Sequence, residues 1–157
     1  MTMLPHQQVF LDEYLDLLSK DERDAIPQVI AEYFCDDEYH ANECARLIRH
    51  DVKKASCSLK AAYEQGQDPL PQVGQLTVVL NWQQDPICIV QLKSVTFCPF
   101  NQVLPEFARA EGEGDGSYAW WKQAHMRFFT DFAKEIGVTF DESSELVLEK
   151  FERVYPL

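Results

Sequence analysis

Apolar residues recur at helical spacing from near the start of the chain. In HQQVFLDEYLDLLSK, Phe10, Tyr14, Leu17 and Leu18 fall three or four apart, with Leu11 and Leu15 beside them, the spacing of one buried helix face. Pro27 is placed to open a second short helix, because a first-turn proline gives up no needed hydrogen bond. DDEYHANECARLIRH carries a further stripe, Ala41, Cys44, Ala45 and Ile48. Its acidic start and its basic end, Arg46 and Arg49, suit the helix dipole. The period then changes. QLTVVLNW and PICIVQLKSVTF are β-branched runs joined by the turn-like Gln84-Asp85-Pro86, and they predict a hairpin of interior strands. A last strand is expected in LVLEKFERVYP, although Phe151 and Val154 break the alternation begun by Leu146 and Leu148.

Between the hairpin and that strand, Pro105 starts a short helix ending at EGEGDG, which holds three of the six glycines. Ser117 suits the N-cap of a long helix. Trp121, Ala124, Phe128, Phe132 and Ile136 mark its apolar face, and Gly137 its stop. The pattern is that of an α+β chain: helices first, a small β core, and one long aromatic helix packed on it.

Composition narrows the function classes. A length of 157 residues suits one compact domain with its own core. The N-terminus lacks a basic region followed by an apolar stretch, and no apolar run reaches membrane-spanning length. A cytoplasmic protein without a membrane partner is expected. Five cysteines, Cys35, Cys44, Cys57, Cys88 and Cys98, occur without a CxxC pair, so reduced thiols fit better than a metal finger or disulfide scaffold. The net charge of −12 argues against an extended non-specific DNA surface, which would rely on many Lys and Arg contacts to phosphate. A small basic pocket stays open. Five of the fourteen Lys and Arg residues (Arg46, Arg49, Lys53, Lys54, Lys60) crowd around one stretch, HDVKKASCSL.

That stretch resembles a motif of the ASCH superfamily, in one bacterial branch, through Lys53-Lys54-Ala55-Ser56-Cys57-Ser58-Leu59. Further likenesses are PLPQVGQLTVV, Phe107 to Asp115, the Trp-x-x-x-His-x-x-Phe-Phe of Trp121 to Phe129, and the closing FERVYP. The resemblance implies a PUA-like small β-barrel with flanking helices at 34–157, preceded by a helical extension at 1–33. It also implies binding of RNA or a modified nucleoside in a basic cleft, with hydrolysis of it. One ASCH branch hydrolyses N4-acetylcytidine with a Lys, a Thr and a Glu, which map onto Lys53, Ser56 and Glu111. Nearer relatives resemble metal-assisted ribonucleases. A non-catalytic RNA- or nucleotide-binding module is the alternative. Two departures stand out: Asp51 where the family has Gly, and Ser56 where it has Thr.

The residues themselves leave choices open. A neutral Lys53 amine would activate Ser56 as a nucleophile; a charged one would bind phosphate or an oxyanion; a plain helix-end lysine would do neither. Glu111 is the candidate acid or base. Glu113 and Asp115 are candidate ligands for Mg²⁺ or Mn²⁺, or members of a solvated turn. Lys54, Ser58, Tyr63, Trp121 and His125 are the candidate ligand contacts. Trp121 suits stacking on a base or a place in the core. His125 suits acid chemistry or a structural hydrogen bond. Cys57 is expected to face the core.

Overall fold

A computed structural model describes residues 3–157 of the chain. Its elements are α1 (Pro5–Leu15), α2 (Lys20–Asp24), β1 (Val29–Glu32), α3 (Glu38–Arg49), β2 (Ala55–Leu59), α4 (Lys60–Gly66), β3 (Leu76–Leu80), β4 (Pro86–Pro99), α5 (Pro105–Glu111), α6 (Tyr118–Ile136) and β5 (Glu145–Tyr155). The strands pair in the order β1-β3-β4-β5-β2. β1 runs parallel to β3, while β3–β4 and β2–β5 are antiparallel. This order has two ends, so the described strands form an open mixed sheet where the resemblance implies a closed barrel. The ends are the four-residue β1 and the five-residue β2.

The chain divides into two compact units. The first takes residues up to Val52, Gln72–Lys93 and Phe151–Leu157. In it, Leu11 and Tyr14 of α1 cluster with Leu76, Val78 and Leu80 of β3 and Ile89 of β4. Leu17, expected on the same helix face, lies past the end of α1 and is exposed. The helix expected from Pro27 is absent among the described residues. α2 instead starts earlier, after Ser19, whose Oγ accepts from Glu22 N at 3.1 Å while Glu22 Oε1 accepts from Ser19 N at 2.9 Å. This reciprocal cap satisfies backbone donors that a helix start leaves open. Pro27 then precedes β1, where a missing N–H is tolerated. α3 buries Ala41, Cys44, Ala45 and Ile48, as its pattern predicts.

The second unit takes Lys53–Pro71 and Ser94–Lys150. Its core joins Ala55 and Leu59 of β2, Phe107 and Ala108 of α5, Trp121, Phe129 and Ala133 of α6, and Leu146 and Leu148 of β5. The residues of HDVKKASCSL after Lys54 form β2, because their backbone pairs with β5 from Ala55 opposite Lys150 to Leu59 opposite Leu146. The most deeply buried stripe of α6 is Trp121, Phe129 and Ala133, displaced from the Ala124–Phe128–Phe132 face. His125 lies one turn from both Trp121 and Phe129, so this rotation carries it inward. Among the described residues no helix is long and apolar enough to cross a membrane.

Candidate functional site

Lys53 lies two residues before β2. Its neighbour Lys54 donates its backbone N–H to the Ala110 carbonyl at 2.7 Å, which fastens this segment to the last turn of α5. Glu111 is the final residue of α5, and the helix stops there because Gly112 adopts φ +64°, a conformation open to glycine. The chain then doubles back and brings Glu113 to the same place as Glu111. Gly114 completes the turn at φ +59°, packed so closely that a Cβ there would lie 2.3 Å from the Trp120 indole.

The result is a buried charge cluster. Lys53 Nζ donates to Glu111 Oε2 at 3.3 Å and to Glu113 Oε2 at 2.8 Å. The Lys53 and Glu111 side chains are 2% and 1% exposed, while Glu113 and His125 reach 18% and 13%. Solvent therefore meets the cluster on its Glu113 and His125 side. The geometry suits a charged lysine held between two carboxylates.

His125 completes the network. Its Nδ1 lies 2.9 Å from the Trp121 carbonyl oxygen, which only accepts, so the proton is assigned to Nδ1. Nε2 lies 3.2 Å from Glu111 Oε2, and a carboxylate there also calls for a donor. The contact is that of an imidazolium. Burial pulls the His125 pKa down, but hydrogen bonding to Glu111 and the charges of Glu111 and Glu113 outweigh it and raise it. For Glu111, burial opposes ionisation; the Lys53 ammonium and His125 overcome it and hold the carboxyl well below the usual range. Glu113 goes the other way: burial and the adjacent Glu111 charge raise its pKa against the pull of Lys53. The two carboxyl groups share one ammonium, and of the pair Glu113 takes up a proton more readily as pH falls.

The remaining candidates fall elsewhere. Trp121 is 2% exposed and stacks between neighbours, with His125 at 4.5 Å and Phe100 at 5.5 Å between ring centroids. Its faces are occupied, so it is a core residue with no face free to stack on a base; Trp120 is the more exposed tryptophan of the pair. Asp115 accepts from Ser117 N at 2.8 Å and is exposed, as a helix-start residue rather than a neighbour of Glu111. Ser58 Oγ and Tyr63 Oη pair at 3.0 Å. Lys54 is exposed. Strand alternation points Ser56 and Ser58 to the face of β2 opposite Ala55, Cys57 and Leu59. Nor is the surrounding basic stretch a basic cleft: Arg46 pairs with Glu43 at 2.6 Å and Lys60 with Glu145 at 3.1 Å, while Lys53 sits between two acids.

Cys57 is the residue that sequence reasoning assigned to the core alone. Its side chain packs against the core, as expected, yet it also approaches the cluster. Its thiol, a Glu111 carboxylate oxygen and a His125 nitrogen lie within 4.8 Å of one another. Burial and the Glu111 charge hold this thiol well above its ordinary pKa. The mixed S, N and O set differs from the all-oxygen shell of Mg²⁺, and the Lys53 ammonium on Glu111 opposes a cation there. Two buried polar atoms, Glu111 Oε1 and Trp121 Nε1, have no hydrogen-bond partner among the described residues. The signal for Cys57 is the two-residue alternation of a strand, which emerges only once the segment is paired with β5.

The ASCH domain family model matches residues 30–155. A crystal structure of an ASCH domain from Lactobacillus crispatus JV V101 is 47% identical, with a TM-score of 0.94, covering 99% of this chain and 98% of that one. A protein from Enterococcus faecalis V583 is 31% identical, with a TM-score of 0.83, covering 97% of this chain and 90% of that one. No curated protein matches the sequence.

Proposed function

The chain belongs to the ASCH domain family, and on that premise we propose that it takes RNA or a modified nucleoside at the Lys53–Glu111–Glu113–His125 cluster and hydrolyses it. The family is generally linked to RNA binding. The observation that carries the chemistry is the division of labour between two carboxyl groups on one lysine. Glu111 is held ionised in the interior, whereas Glu113, 18% exposed, has its pKa raised. Environments that push paired carboxyls apart are how acid and base roles are separated.

In this reading Glu113 is the catalytic residue. It takes a proton from the attacking water and returns it to the leaving amine or alkoxide. Lys53 supplies the positive charge that offsets the developing oxyanion. Glu111 and His125 are positioning residues that fix Lys53. Ser56 has no part in this scheme.

The test is turnover of N4-acetylcytidine and of an unstructured RNA, each with and without chelator. Wild type is expected to turn over one of them, and Glu113→Gln to lose roughly 100-fold or more in rate with binding retained, the usual span of general acid–base catalysis. Chelator resistance supports the metal-free scheme; chelator sensitivity refutes it in favour of the metal-assisted alternative. Saturable binding with no turnover would make the protein a recognition module.

A further inference from the structure

Cys35 and Cys44 belong to the first unit. Cys35 lies in the loop between β1 and α3, partly exposed, and Cys44 is buried on α3. Their sulfur atoms are 3.4 Å apart. A disulfide needs about 2.05 Å, so a contraction of roughly 1.4 Å separates the dithiol from the bond. The loop is able to supply it: Cys35 is already held at φ +72°, a conformation an L-residue adopts at a cost. The cap of α3 lies two residues further on, where Asp37 accepts from His40 N at 2.8 Å.

We propose that Cys35 and Cys44 form a reversible intramolecular disulfide on exposure to a hydroperoxide. Cys35, the more exposed thiol, reacts first as its thiolate. Its sulfur attacks one peroxide oxygen, an S–O bond forms, the O–O bond breaks, and hydroxide leaves. The Cys44 thiolate then attacks the Cys35 sulfenic sulfur, the S–S bond forms, the S–O bond breaks, and a second hydroxide leaves. The two thiol protons convert both hydroxides to water. The net change is two thiols and one hydrogen peroxide to one disulfide and two waters. The other three thiols are poorly placed to compete. Burial raises the pKa of Cys57 and Cys98, and that of Cys88 to about 12, which suppresses the thiolate.

The test uses the reduced full-length chain, hydrogen peroxide, and alkylation of the remaining thiols before intact-mass and peptide analysis. Expected are a loss of about 2 Da before alkylation, three alkylated cysteines in place of five, and one linked peptide pair joining residues 35 and 44. Dithiothreitol should restore all five. Cys44→Ser should stop at a sulfenic acid on Cys35 that a dimedone probe traps, while Cys35→Ser should give no adduct. Circular dichroism of both reduced variants checks that they are folded. A link through Cys57, Cys88 or Cys98, a bond between molecules, or five alkylated thiols after peroxide would overturn the assignment.

Discussion

Lys53→Met tests the buried cluster most directly. The substitution keeps the side-chain length and removes one positive charge between two acids. At an effective dielectric of about 20, the contacts at 3.3 and 2.8 Å correspond to about 5 and about 6 kcal/mol of attraction. Much of this is offset, because the mutant no longer has to desolvate an ammonium, and Glu113 escapes ionisation by holding a proton. What remains is the cost of a Glu111 at 1% exposure left with His125 as its cationic partner, roughly 3–5 kcal/mol for one broken buried pair. In urea at pH 7 the midpoint should fall by roughly 2 M. Lys53→Met combined with Glu111→Gln should recover much of the loss, since the stranded charge is then gone. A loss below about 1 kcal/mol in the single variant would refute the reasoning, because it would mean that water already solvates the carboxylates.

Three further outcomes follow from local geometry. The folded His125 pKa is raised above its ordinary 6.5, so its contribution is full below that pH and disappears as pH rises through the folded value. Glu111 is lowered from 4.5, so its contribution is present above that pH and is lost as pH falls toward the folded value. Denaturation across pH should thus show greatest benefit between these limits, and His125→Gln should flatten the alkaline side and weaken the acid side too, since Glu111 loses one of the groups that hold it ionised. Gly114→Ala should cost roughly 1–3 kcal/mol by thermal or urea melting, because its Cβ meets Trp120 and its φ is positive. Asp51 holds Arg153 through contacts of 3.2 and 3.0 Å at φ +63°. Asp51→Gly should be neutral within about 0.5 kcal/mol, losing an exposed pair and relieving the backbone, whereas Asp51→Ala should cost about 1 kcal/mol.

Much was fixed locally and read correctly in advance. Ala41, Cys44, Ala45 and Ile48 are the buried stripe of α3 because a helix turns at one pitch whatever surrounds it. Gly137 ends α6 at φ +76°, and Ser117 caps it, since caps depend on the next few residues. The hairpin and the last strand were legible from their β-branched runs. Pairing partners were not. Only β5 makes a strand of ASCSL, and only that strand tells Cys57 from Ser56 by face. The charge of Lys53 likewise depended on distant residues: a lone lysine on the chain is compatible with base, anion binder or surface cap. Glu111 and Glu113, 58 and 60 residues away in sequence, decide for the ammonium. Periodicity and capping act over a few residues, so the sequence determines them alone; a pKa depends on every charge and every excluded water within a few ångströms, and the tertiary structure alone assembles those.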